Sequence, residues 1–303
     1  MEPDHSRSTR TDQVQARRLP EELLSLLRHS GVRLTLAELE QLKARIHSVV
    51  NYHATIGVMG KTGAGKSSLC NALFGKEVAA TSAVEACTRS PQEIDWSIQQ
   101  GKGLSLIDMP GVGESEQRDM EYAQLYRQLL PELDLVLWVI KGDDRALSID
   151  EHFYQQVVLP LIWDSTLPVL FVVSQVDKVE PCREWDWRNN RPGPYQSVNI
   201  QAKVEQVQRL FKLPASQVCA IAAEEGYGLV DLVEKVVTIL PNEKKWSFTR
   251  EAKAETVSSQ ARQAASQGLW ETITSAVKTI VKDSWEYVSS RLSSLATTLF
   301  GWW

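Results

Sequence analysis

The 303-residue sequence carries 33 Lys and Arg against 38 Asp and Glu, a net charge of −5, so no global basic field recommends nucleic acid or a ribosome as a partner. Its 43% hydrophobic and 23% charged content is that of an ordinary globular protein. Four scattered cysteines without a C-x-x-C pair, no Cys/His zinc cluster, no basic-then-apolar leader and no apolar run near the roughly 18 residues of a spanning helix lead us to expect a reduced, cytoplasmic setting.

Residues 1–18 are polar and lack apolar period, the pattern of a disordered arm. Leu19 to Leu27 reads as a first helix, with Pro20 in its opening turn and Gly31 beyond its end. Thr35-Leu36-Ala37-Glu38 has the spacing of a capping box and opens a second helix to about Val50, which predicts a helical hairpin. From Ala54 short apolar runs alternate with helical segments, the signature of a doubly wound α/β fold. Strands are expected at Thr55–Met59, Glu93–Ile98, Leu104–Asp108, Asp134–Ile140, Pro168–Val173 and Val218–Ala222. Ile94, Trp96 and Ile98 alternate with polar residues and Gly101-Lys102-Gly103 follows, so the second and third strands should form a hairpin at the edge of a mostly parallel sheet. The expected division is 1–51 for arm and hairpin, 52–242 for the α/β domain and 243–303 for a linker and long C-terminal helix.

Gly60-Lys61-Thr62-Gly63-Ala64-Gly65-Lys66-Ser67 matches the G-x-x-x-x-G-K-[ST] phosphate loop, between an apolar strand and a helix that begins with Ser68 and closes at Gly75. Glycines let successive N–H groups turn toward a phosphate. Lys66 would bridge β- and γ-phosphate oxygens and Ser67 would bind Mg²⁺. Asp108-Met109-Pro110-Gly111 ends the third strand, its aspartate placed for Mg²⁺ through a water and the Gly111 N–H for the γ-phosphate. Ser174-Gln175-Val176-Asp177 ends the fifth. A carboxylate there accepts the guanine N1 and N2 protons together, which adenine cannot offer, so the nucleotide should be GTP or GDP.

In this order the motifs resemble the G1, G3 and G4 boxes of translation-factor-class GTPases, near the Era- and TrmE-like branch. More narrowly, residues 57–63, Cys87-Thr88-Arg89, residues 111–115 and Lys141-Gly142-Asp143-Asp144-Arg145-Ala146-Leu147 resemble bacterial YfjP/YeeP-type GTPases. The resemblance spans roughly residues 50–240 and implies a P-loop G domain with helical extensions at both ends. By matching position it implies that Thr88, with Thr81 as its rival, is the switch I threonine that joins Ser67 on Mg²⁺. It makes Ala222-Ala223-Glu224 the fifth box, with backbone N–H groups facing the guanine O6. Two departures stand out. Ser174 and Gln175 replace the Asn that ties this loop to the phosphate loop and the Lys whose stem covers the base. Val112 stands where Ras-type enzymes carry a water-orienting glutamine, so hydrolysis should be slow unless Glu114 or Arg89 substitutes.

Asp143-Asp144 reads as a turn. Two tryptophans in the polar insert Glu180–Arg188 either form a partner surface or pack back on the domain. Beyond Ala264, Trp270, Ile273, Val277, Val281, Trp285, Val288, Leu292, Leu295 and Leu299 form one stripe of a helix roughly eight to ten turns long. It can lie on a membrane surface, dock on protein or self-associate. Two roles therefore stand open: a GTP-hydrolysing switch, or a scaffold that uses GTP to form a homodimer or to reach a membrane peripherally.

Overall fold

The computed structural model describes residues 35–75, 92–97, 103–108 and 116–280, together with Glu21, Ser25, Glu286, Val288 and Ser289. The first expected helix falls almost wholly outside these residues. Helix α1 (Leu36–Val50) starts at the anticipated capping box. The Thr35 hydroxyl accepts from the Glu38 N–H at 3.3 Å, and Glu38 Oε2 accepts from the Thr35 N–H at 2.8 Å.

Residues Ala54–Leu240 form one unit, built on a six-stranded sheet in the order β2-β3-β1-β4-β5-β6. Its strands are β1 (Ala54–Met59), β2 (Gln92–Ser97), β3 (Gly103–Asp108), β4 (Leu135–Lys141), β5 (Val169–Ser174) and β6 (Val218–Ala220). All neighbours pair in parallel except β2, which runs antiparallel to β3 from Gln92↔Asp108 to Ser97↔Gly103. The doubly wound architecture and its antiparallel edge are thus as the sequence predicts. The last strand ends two residues earlier than expected because Ala222 leaves the ladder and pairs with Tyr227, each N–H donating to the other's carbonyl at 3.1 Å.

Helices α2 (Lys66–Phe74), α3 (Glu116–Leu129), α4 (Ser148–Phe153), α5 (Leu159–Ile162), α6 (Pro194–Phe211) and α7 (Leu229–Ile239) complete this unit, with a π-turn at Tyr154–Val158 between α4 and α5. Residues 135–140 and 169–174 are buried without alternation, as parallel strands covered on both faces require. An aromatic group anchors this core: Phe171 lies 5.7 Å from Trp138, 5.2 Å from Tyr154 and 4.7 Å from Phe211, centroid to centroid. With five strands parallel, the loops that leave their C-terminal ends share one edge of the sheet, the usual ligand-binding edge of such folds.

The segments before and after this domain belong together in a second, helical unit. There α1 packs with α8 (Asn242–Glu251) and α9 (Ser259–Ile280). Leu42 and Ile46 of α1, Trp246 and Phe248 of α8, and Leu269, Ile273 and Val277 of α9 are buried. A Cβ on Gly268 would lie 2.8 Å from the Asn242 carbonyl oxygen, so glycine lets the two backbones approach. Arg250 donates to the carbonyls of Val50 at 2.9 Å and Tyr52 at 3.2 Å, closing the C-terminal end of α1. The extensions expected at opposite ends of the chain are therefore one structure. Ile273, Val277 and Val288 of the predicted stripe are buried, which is protein docking for that part of it. Among the described residues no helix is long and apolar enough to cross a membrane.

Candidate functional site

Strand β1 delivers Gly60 at φ +133°, where an added Cβ would sit 2.2 Å from the Val139 carbonyl oxygen of β4. Only glycine fits this turn off the sheet. Gly65 caps α2 in the left-handed region at φ +92°, and a Cβ there would meet the Gln175 amide at 3.3 Å. The loop is thus shaped by backbone that side chains would obstruct. Lys66 opens α2 and folds back over the loop, donating to the Gly60 carbonyl at 2.9 Å and the Lys61 carbonyl at 3.4 Å. Ser67 and Ser68 follow in the first turn, half-buried. Register places Asp108 beside Val58, two residues before Gly60. Thr88, Arg89, Gly111, Val112 and Glu114 lie outside the described residues, as does the side chain of Asp108.

The two departures in the fourth box prove to be ties. Ser174 is 2% exposed, and its hydroxyl donates to the Ala64 carbonyl at 2.5 Å. Gln175, in the left-handed region at φ +52°, donates its amide to the Gly63 carbonyl at 2.9 Å. This turn is therefore fastened to the phosphate loop at two points by other atoms than an Asn would use. Asp177 follows, half-exposed. Its turn is joined to the fifth-box loop by the Val176 N–H, which donates to the Ile221 carbonyl at 3.1 Å. Ala222 and Ala223 sit next to these, and the Ser68 hydroxyl donates to Glu224 at 3.2 Å, linking the start of α2 to the same loop. The structure thus brings Gly60–Ser68, Asp108, Ser174–Asp177 and Ala222–Ala223 to one edge.

One arrangement escaped the sequence. Lys61, expected among the nucleotide contacts, commits its ammonium elsewhere: 2.9 Å from Asp144 Oδ2, 2.8 Å from Asp150 Oδ2 and 2.5 Å from the Ala146 carbonyl. Lys203 from α6 donates to the Asp144 carbonyl. Asp150 is 2% exposed, and burial pushes its carboxyl above the usual carboxylate range despite the Lys61 cation. Burial opposes the charge on Lys61 and Asp144 as well, yet their mutual hydrogen bond and those to Asp150 and the Ala146 N–H prevail. Lys61 is left above its ordinary pKa and Asp144 below. Asp144 does sit in a turn, its N–H on the Lys141 carbonyl at 3.1 Å, but its carboxylate holds the phosphate loop. The signal was available in Lys141–Leu147, whose resemblance to relatives carried no assigned task.

In the insert, Trp185 is buried edge-on against Tyr227, 5.6 Å between centroids, while Trp187 is 64% exposed. Packing back holds for one tryptophan and exposure for the other. Among the described residues no group of three or more His, Cys, Asp or Glu side chains is poised for a metal ion.

A family model described as "50S ribosome-binding GTPase" matches residues 55–175. Over 205 residues the chain is 46% identical to protein YkfA of Escherichia coli K12, covering 67% of this chain and 68% of YkfA. It is 45% identical to YfjP of the same organism over 223 residues, covering 73% and 74%. GTPase Era of Aquifex aeolicus is 25% identical over 190 residues, covering 61% and 56%.

Proposed function

Because the chain belongs to the family of YkfA and YfjP, with a GTPase domain at its centre, we propose that it binds GTP with Mg²⁺ and hydrolyses it to GDP and phosphate, as a molecular switch. One observation carries this reading: the phosphate loop and the turn bearing Asp177 are fastened together at the C-terminal edge of a parallel sheet. A cradle of backbone that a Cβ would fill, at Gly60 and Gly65, suits polyphosphate. The hydroxyl of Ser67 is a hard oxygen donor that suits Mg²⁺.

In this reading Lys66 and the backbone of residues 60–68 hold the phosphates, and Ser67, Thr88 and Asp108 hold Mg²⁺. When bound, the ion neutralises charge on the β- and γ-phosphates. Gly111 faces the γ-phosphate, Asp177 accepts the guanine N1 and N2 protons, and the Ala222 and Ala223 backbone faces O6. Gln175 keeps the base edge fixed relative to the phosphates through its bond to Gly63. Val112 cannot orient water, so turnover is slow. Arg89 is the group we assign to γ-phosphate charge, in cis or across a homodimer, and Glu114 the one we assign to the water. Specific activity that climbs with protein concentration favours the dimer. A scaffold role predicts phosphate release that stays negligible at every concentration.

Asp177→Asn tests the base assignment. We expect GTP affinity to fall about tenfold or more and xanthine nucleotides, whose C2 carbonyl needs a donor, to bind in its place. Competition against a fluorescent guanine nucleotide measures both. Wild-type protein that takes ATP as tightly as GTP would sink the assignment.

A further inference from the structure

We propose that Gln196 is a positioning residue for guanine recognition, and that the insert at 180–193 is a brace which holds both base-facing loops. This rests on the reading of Asp177 as the base acceptor. Gln196 lies in the first turn of α6 and is fully buried. The two N–H groups of its amide are shared among three carbonyls of a single turn, Val176 at 3.4 Å, Asp177 at 3.0 Å and Val179 at 2.9 Å from the nitrogen. These carbonyls belong to the backbone that carries the Asp177 side chain. Meanwhile the amide oxygen is buried with no hydrogen-bond partner, an unfavourable state for an acceptor. An apolar side chain of the same length would fill this space without that penalty. What it could not supply is a donor for the carbonyls of the turn.

The insert fixes Gln196 in turn. Glu184 reaches from the insert to the start of α6 and accepts from the N–H groups of Tyr195 at 2.9 Å and Gln196 at 3.1 Å. A carboxylate there satisfies donors that the helix leaves open and complements its dipole. Gly193, at the N-cap, makes room for it: a Cβ on Gly193 would lie 2.6 Å from the Glu184 Cβ. Asn199, one turn further along α6, donates to the Glu180 carbonyl at 2.7 Å. On its other side the insert buries Trp185 against Tyr227, whose backbone pairs with Ala222 in the fifth-box loop. One short segment therefore grips the fourth box through α6 and the fifth through an aromatic contact.

The test compares GTP with ITP, which lacks the N2 amine. Affinities are measured for the full-length wild type, Gln196→Met, Glu184→Gln and Asp177→Asn at a temperature where circular dichroism shows each folded. Gln196→Met keeps the length and removes the donors. We expect its GTP affinity to fall about tenfold and its ITP affinity by less than about threefold, so that discrimination between the two collapses. Glu184→Gln, at a half-exposed position, should shift the same ratio in the same direction by a smaller factor. A merely structural role would lower both affinities together, because a loosened fold does not sense N2. A GTP-to-ITP ratio equal to wild type in Gln196→Met, or in Glu184→Gln should the first variant fail to fold, overturns the inference while leaving the Asp177 reading intact. An unchanged ratio in Asp177→Asn removes that reading and this inference with it.

Discussion

Lys66→Ala is expected to abolish GTP binding or weaken it at least about tenfold, because the β- and γ-phosphate charge loses its main cationic partner. The side chain is already directed across the loop by the Gly60 and Lys61 carbonyls, so little reorganisation separates it from a phosphate. Its removal does not touch the sheet: Lys66 is the first residue of α2, half-buried, and the loop keeps its Gly60 and Gly65 turns. Isothermal titration should therefore show lost binding with an unchanged melting temperature. Normal GTP affinity in the variant would show that this loop is not the nucleotide site.

Lys61→Met should act in the opposite manner, destabilising the fold by about 3 kcal/mol, because it leaves Asp150 buried without its counter-ion. For a unit the size of Ala54–Leu240 that is roughly 6–12 °C in melting temperature. The loss should depend on pH. Burial already raises the Asp150 carboxyl above its ordinary value, and without Lys61 it rises further. A carboxyl with a folded pKa above its unfolded one makes the folded state the better proton binder, so stability is full below the unfolded pKa and is lost as pH climbs through the folded pKa. The deficit of Lys61→Met should accordingly be smallest near pH 5 and largest near pH 8 in thermal unfolding. Adding Asp150→Asn removes the charge that Lys61 neutralised and should recover much of the loss. A deficit that is flat with pH, or unrelieved by the second substitution, would mean that the ion pair is not what holds the loop.

Local chemistry made most of the architecture readable. The capping box at Thr35 and Glu38, the unbroken apolar runs of β4 and β5, and the alternation of Ile94 and Trp96 each declare an element within a few residues. What stayed hidden depends on partners distant in sequence. Nothing near Lys61 announces Asp150, which reaches it only because α4 follows β4 and β4 lies beside β1. Ser174 looked like a weakened Asn until the fold set its hydroxyl against Ala64. Gln196 carries no signal of its own in the sequence, because three carbonyls of a neighbouring turn cannot be seen in its own helical period. The apolar stripe on α9 was legible and docking on protein was among the covers it allowed, but the sequence could not choose among them, since α1 is separated from it by an entire domain.

That separation sets an order of events during synthesis. Helix α1 leaves the ribosome with Leu42, Ile46, Val49 and Val50 ready for burial, yet its partners α8 and α9 are encoded after the last residue of the sheet domain. At about 5–20 residues per second, with domains folding as units when they emerge, the wait is roughly ten to forty seconds. During it the α/β domain is completed and can close around its loops, while α1 remains without α8 and α9. The helical unit can assemble only on a chain translated past α9, so it records that translation has passed through the entire α/β domain and out the other side.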